Sequence, residues 1–293
     1  TIRIVLASEI TGGVEANKPV EQELFEFSPN IEGTTVWIDS RTIEFRPKDK
    51  LPSGQSYEAI FHLNKVAQVP ADFEEFTFYF TVITQSMEVY VDGMKTIDKK
   101  AMIWQRVTGM ISTADVAENA DVEKILTATE DGRNLKITWE HGEENKHRFV
   151  IDSVERKVKP MDVIIKWSGD PIGVDVKNTQ TFIIPALGDF KVMDIKVVQD
   201  QEQYVSVQFS DPLMENQVLE GLISLTGEST TLKFLIEDNE VKVYPASRQG
   251  GVRTVTVEAG VKNILGFPLK AKMTMEVMFE EIKPQIKFVG KGA

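Results

Sequence analysis

Apolar and polar residues alternate with a period of two along most of this chain. Tyr57, Ala59, Phe61 and Leu63 share one face of the run from 57 to 63, and Phe76, Phe78, Phe80 and Val82 share one face of the next. A period of two places successive side chains on opposite faces of an extended backbone, so each run predicts a half-buried β-strand. The spacing recurs at Leu135, Ile137 and Trp139, at Val163, Ile165 and Trp167, and at Val205, Val207 and Phe209. It returns at Val255 and Val257, and at Met273, Met275, Val277 and Phe279. Turn signals punctuate the runs: Gly12-Gly13, Pro52-Ser53-Gly54, Asp92-Gly93, Asp131-Gly132, His141-Gly142, Gly250-Gly251 and Gly266-Phe267-Pro268. Such pairs supply the positive φ that tight hairpins need, which predicts antiparallel sheets. Helical spacing occurs over 113–127, where Val122, Ile125 and Leu126 come after Asp115 or Asn119 as a cap. The β-branched residues there, and the Asp131-Gly132 turn beyond, leave a strand open.

A short phrase occurs twice. Phe27-Ser28-Pro29 precedes Thr42-Ile43-Glu44-Phe45-Arg46-Pro47 and Gly54, while Phe209-Ser210-Asp211-Pro212 precedes Glu240-Val241-Lys242-Val243-Tyr244-Pro245 and Gly250. The phenylalanine and the second proline are 20 positions apart in the first copy and 36 in the second, so the stretch around 219–231 is expected to add a strand or a hairpin. The segment between the copies lacks the phrase. A chain of 293 residues accommodates two or three domains of about 100 residues each. The reading is an all-β tandem array of three antiparallel Ig/fibronectin-like β-sandwich domains, 1–84, 85–187 and 188–293. Polar joints at 84–86 and near Gly188 are short, predicting modules packed end to end that move as rigid bodies about those joints.

Composition narrows the function classes. The net charge of −12 repels phosphate backbones, so nucleic acid is not an expected partner. Cysteine is absent, which removes disulfides, thiolate metal sites and a cysteine nucleophile from these residues and leaves the compartment open. No apolar stretch is long enough for a membrane span in this segment. The chain opens at Thr1, so an export signal or lipid anchor is expected upstream.

Candidate chemistry is sparse. His141 and His147 are the close histidine pair, and Glu143 or Glu144 would be the third ligand of a metal site, but the spacing matches no zinc signature and reads as a solvated hairpin loop. His62 falls on the polar face of its strand and is expected to be exposed. The acids Asp115, Glu118, Asp121, Glu123, Glu130 and Asp131 lack the alternation of a calcium loop and read as a solvated face. Trp139 and Trp167 close apolar rows and read as core, whereas Trp37 and Trp104 are open to a sugar-stacking role. No nucleophile elbow, phosphate loop or helical zinc motif occurs. The sequence thus assigns no catalytic, cofactor-binding or metal-ligating residue, and the chain is read as non-enzymatic and without a cofactor.

Residues 27–61, FSPNIEGTTVWIDSRTIEFRPKDKLPSGQSYEAIF, resemble the first modules of bacterial alpha-2-macroglobulins, in which a Phe-Ser-Pro phrase leads to a Trp, an Arg-Thr-x-x-Phe-x-Pro strand and a Leu-Pro-x-Gly-x-x-Tyr turn. The runs 107–128 and 205–227 are similar to the succeeding stretches of those proteins. The resemblance implies N-terminal macroglobulin-like domains of a larger protease trap in the cell envelope, periplasmic and lipid-anchored. Its partners would be the remaining domains of the parent chain, target proteases and cell-envelope proteins. In that family a protease cuts a bait region and a Cys-x-x-Gln thioester elsewhere captures it. No cysteine and no bait-like stretch occurs here, so no reactive residue transfers, and the segment would belong to the frame. The competing reading is a surface-layer or adhesin-type array gripping a glycan through Trp37 or Trp104; a glycan-processing enzyme ranks third.

Overall fold

The computed structural model describes residues 1–10, 15–142, 145–199, 202–227 and 232–281. The Gly12-Gly13 turn, Glu143, Glu144 and Thr231 lie outside them. The chain forms two compact units, 1–87 with 113–116, and 88–112 with 117 onward.

The first unit contains β1 (Ile2–Val5), β2 (Phe25–Ser28), β3 (Gly33–Trp37), β4 (Thr42–Pro47), β5 (Ser56–His62) and β6 (Glu75–Thr81). They pair antiparallel as the sheets β1-β4-β3 and β2-β5-β6. The alternation fixes which side chains meet: Ile43 and Phe45 of one sheet pack against Phe25, Phe27, Tyr57, Ala59 and Phe61 of the other. Glu44, pointing away from this core, is buried under Arg46 and Arg3, whose guanidinium Nε atoms lie 2.6 and 2.5 Å from its carboxylate. Those two cations hold the Glu44 carboxyl below its ordinary value. The Gln85 side chain bonds both backbone groups of Asp115, accepting from its N–H at 2.9 Å and donating to its carbonyl at 3.0 Å.

The second unit opens with β7 (Met87–Thr96), β8 (Trp104–Thr113), α1 (Asn119–Val122), β9 (Leu126–Glu130), β10 (Arg133–Asn134), β11 (Ile137–His141), β12 (Lys146–Glu155), β13 (Met161–Ser168) and β14 (Lys177–Ile184). It continues with β15 (Val192–Gln199), β16 (Gln203–Phe209), β17 (Ile223–Leu225), β18 (Lys233–Glu237), β19 (Glu240–Tyr244), β20 (Gly251–Val257) and β21 (Met273–Phe279). The sheets are β7-β8-β12-β11 with β10-β9-β13-β14, then β15-β16-β19-β18 with β17-β20-β21.

Strand order makes the three sandwiches versions of one topology. In the third, the first, second, fifth and fourth strands form one sheet, and the third, sixth and seventh form the other, which is the constant-type immunoglobulin order. The second sandwich repeats this order and adds the two-residue β10 beside β9. The first has the same order without the leading strand. The chain is therefore a tandem array of Ig-type antiparallel sandwiches.

This order corrects the reading of the repeated phrase. Phe27-Ser28 ends β2, which corresponds to β17, whereas Phe209 ends β16, which corresponds to β1. The two phrases occupy different strands, and the second stands one strand earlier. Its longer spacing to the proline results, with β17 in the interval where an added strand was expected. The helix expected over 113–127 is also shorter. It covers only Asn119–Val122 and starts after Glu118 with no side-chain cap, so neither Asp115 nor Asn119 caps it. Leu126 instead pairs with Trp167 in the sheet, because the tertiary ladder outweighs a marginal helix. Among the described residues no helix is long and apolar enough to cross a membrane.

Candidate functional site at the joint between the second and third sandwiches

Where β12 ends, the chain carries a bulge. The register shifts between Ile151 and Val154, with Ser153 at φ 67, and the strand delivers Arg156 into the interior. The Arg156 side chain is 0% exposed. Its Nε donates to the carbonyls of Pro185 (3.0 Å) and Ala186 (3.2 Å), and its Nη2 to those of Ala186 (3.0 Å) and Asp189 (2.9 Å). Nη1 makes a short ion pair with Asp211 Oδ1, just after β16. The other Asp211 oxygen accepts from Asn263 Nδ2 at 2.8 Å, and Ser210 Oγ donates to Oδ1 at 3.0 Å. A buried guanidinium is tolerated only when its charge is paired and its donors are bonded, and both conditions hold here. Arginine suits the place because its fixed fork of donors reaches several acceptors at once.

The segment expected to hinge near Gly188 is thus fastened at three carbonyls. Leu187 N–H adds a bond to the Lys157 carbonyl at 2.7 Å. A second set of contacts comes from the turn between β18 and β19: Asn239 Nδ2 donates to the carbonyls of Met94 (2.7 Å) and Phe209 (2.8 Å), and Asp238 lies 2.7 Å from Lys99 Nζ. Gln208 Nε2 donates to the Asp92 carbonyl at 3.0 Å. Asp92-Gly93, expected as a hairpin turn, lies inside β7. Gly93 has φ +134, and a Cβ there would stand 2.1 Å from Gln208 Oε1, so glycine permits the close approach of the third sandwich.

The histidines are arranged differently from the expectation of a solvated loop. His141 and His147 are direct cross-strand partners of the β11–β12 hairpin, with their Nδ1 atoms 2.9 Å apart, and His141 Nε2 lies 3.1 Å from Glu123 Oε1. With Glu123 ionised, His141 Nε2–H donates to it, so His141 Nδ1 accepts from His147 Nδ1–H. His147 is buried and its Nε2 has no hydrogen-bond partner. Burial, then the neighbouring His141, push the His147 pKa below its ordinary value. Its folded-state pKa is depressed, so the neutral imidazole's contribution is fully present above the unfolded value of about 6.5 and is lost as pH falls below it. Melting temperature measured from about pH 8 to pH 5 should decline in that window, and His147→Phe should flatten the decline. An unchanged slope in the variant would remove His147 as the cause.

His62, expected to be exposed, is largely covered, with Nδ1 3.2 Å from Glu75 Oε1. The acids are engaged singly: Asp121 with Lys124 at 2.7 Å, Asp131 with Lys157 at 3.0 Å, Glu130 with Arg133 and the Glu155 N–H, and Asp115 with the Val116 N–H at 2.8 Å. Glu118 precedes α1. Among the described residues no group of three or more His, Asp or Glu side chains is placed to hold a metal. Trp104 is 41% exposed, while Trp37, Trp139 and Trp167 are half-buried at the ends of their rows. The tryptophans stand on separate strands, β3, β8, β11 and β13. Sequence reasoning missed Arg156 and Asp211 altogether; the one available signal was an Asp within the phrase where the first copy has none.

No protein-family model matches the sequence, and no curated protein matches it. Among solved structures, the chain is similar to domains 4–9 of the surface layer protein SbsC, at 13% identity and a TM-score of 0.31 over 95% of this chain and 42% of that one. It is similar to the Ig1–Ig3 ectodomain of mouse nectin-like molecule 4, at 10% identity and a TM-score of 0.27 over 92% and 85%. It is also similar to cadherin domains 3–6 of protocadherin gamma B2, at 15% identity and a TM-score of 0.21 over 87% and 65%. The chain spans less than half of the surface-layer fragment. TM-scores this low carry no weight for function, and the sandwich assignment rests on the strand order itself.

Proposed function

We propose that this chain is a non-catalytic structural segment, a stiff tandem-sandwich frame within a larger protein of the cell envelope, and specifically the frame of a macroglobulin-like protease trap. The carrying observation is the joint. Arg156 and Asp211 clamp two sandwiches through a fully buried ion pair and three joint carbonyls, an arrangement that transmits orientation from one sandwich to the next. The non-catalytic reading is supported by the buried charges: Arg156, Asp211, Glu44 and Glu130 are each held in structural ion pairs. The trap reading draws on the likeness of 27–61 and the runs after it to macroglobulin modules.

The test uses the full-length protein that contains this segment, incubated with an active protease and offered a large protein substrate or a small peptide. Lost cleavage of the protein with retained cleavage of the peptide is the expected result, because a caged protease stays active toward small molecules. Equal cleavage of both across several protease classes would overturn the trap reading and leave the frame in a surface array.

A further inference from the structure

Two of the three sandwiches cover the strand that follows their leading strand, and the first does not. In the third, Val205 and Val207 of β16 face Val243 and Val241 of β19 on one side, and Val197 and Ile195 of β15 on the other. In the first, Ile2 and Ile4 of β1 face Phe45 and Ile43 of β4 in the corresponding register. Among the described residues no strand lies on the other side of β1. Burial follows the cover. Val205, Val207 and Phe209 are each 0% exposed, whereas the matching row of Ile2, Ile4 and Leu6 is only half-buried against the aromatic core.

The backbone of this edge is open as well. Leu6 N–H donates to the Arg41 carbonyl at 2.8 Å, continuing the ladder between β1 and β4. Hydrogen-bonded residues alternate along an antiparallel pair, so Ile2, Ile4 and Leu6 turn their peptide groups toward β4, and Arg3 and Val5 turn theirs to the open side. Such an edge is a template for a further strand.

The same chain carries a segment with the pattern of a leading strand. β7 begins six positions after the end of β6, and β15 eight positions after the end of β14. Ile286 stands seven positions after the end of β21, at the head of the alternating run Ile286-Lys287-Phe288-Val289. Residues 282–293 lie outside the described residues, and their sequence alone supplies this pattern. They include Lys283, Lys287 and Lys291 and no acidic residue, while residues 1–87 hold 13 acidic against 7 basic residues. Opposite net charges favour their encounter.

We infer that the open edge of β1 accepts residues 285–290 of a second copy of this chain as an antiparallel leading strand, joining copies head to tail. With Phe288 opposite Ile4 and Ile286 opposite Leu6, both apolar side chains close over the half-buried row. Lys287 then falls opposite Val5 and away from Arg3, where two like charges would repel. Donor and acceptor are different surfaces, so each added copy brings a fresh edge for the next. A frame of either kind requires no contact between copies, so failure here leaves the frame proposal standing.

Sedimentation equilibrium of the whole chain over a concentration series up to about 1 mM, with hydrogen exchange at the same concentrations, provides the test. The expected result is a weight-average mass that rises with concentration, together with rising protection of the Arg3 and Val5 amides. A synthetic peptide of residues 282–293 in excess should return the chain to monomer while keeping those amides protected. Val5→Pro should weaken association about tenfold or more, because it removes an outward N–H from the edge. Val5 is 66% exposed and proline is tolerated on an edge strand, so the amides of β2 and β5 should stay protected in that variant. Phe288→Glu, far from the first sandwich in sequence, should weaken association about tenfold or more by placing a charge in the row, and it decides the matter if Val5→Pro disturbs the fold. A chain that stays monomeric throughout, association undiminished by Phe288→Glu, or protection of Arg3 and Val5 without association would each overturn the inference.

Discussion

Replacing Arg156 by alanine should destabilise the second unit by about 3–5 kcal/mol, the cost of leaving a buried charge without its partner. Asp211 is 1% exposed and would keep only Asn263 and Ser210 as donors, while the Pro185 carbonyl would lose its guanidinium donor and the Ala186 and Asp189 carbonyls would keep only the Asp189 N–H and the Ser210 hydroxyl. Equilibrium denaturation measures the loss, and hydrogen exchange locates it, with amides of 186–191 losing protection first. The double replacement Arg156→Met with Asp211→Leu should recover much of the stability, because removing both charges avoids the orphaned carboxylate. It should not restore protection at the joint, since a thioether cannot hold three carbonyls. A loss below about 1 kcal/mol for Arg156→Ala would show that the ion pair is dispensable and would remove the support for a clamped joint.

Phe61→Ala should cost the first unit about 3–5 kcal/mol, the range for deleting a buried aromatic side chain. Phe61 is 1% exposed, pairs across the sheet with Phe25 at a ring-centroid distance of 5.0 Å, and sits beside Tyr57 and Ala59 on the inner face of β5. This sandwich lacks the leading strand of the other two, so its core depends on the aromatic cluster of Phe25, Phe27, Phe45 and Phe61. Removing one ring leaves a cavity that two three-stranded sheets cannot close by small shifts. Ile60→Ala, on the opposite and partly exposed face of the same strand, serves as the comparison and should cost far less. Comparable losses at both positions, measured by denaturation with hydrogen exchange in β2 and β5, would contradict the inward assignment of Phe61.

The strands and their faces are legible in the chain alone. Alternation acts within a few residues, so Tyr57, Ala59 and Phe61 turn inward wherever β5 finds its partner. The all-antiparallel class is equally legible, because turns such as Asp131-Gly132, with φ 48 and 79, need only their own two residues. The chain marks His141 and His147 as a pair but not the burial of His147, nor the Glu123 carboxylate that meets His141 from 18 residues away.

Which strand joins which sheet is settled by the fold as a whole. Phe27 and Phe209 carry the same phrase and lie in different strands of the common topology, because a few residues cannot specify a partner dozens of positions distant. The clamp lies further out of reach of local pattern. Arg156 and Asp211 are 55 residues apart, and Asn239 and Met94 are 145 apart, and none of the four obeys a spacing that local chemistry imposes. In sequence Arg156 is one basic residue beside Lys157, with no local pattern that marks it as buried. Its burial exists because folding brings the joint carbonyls and one carboxylate around it, and a charge can leave water only where such partners already wait.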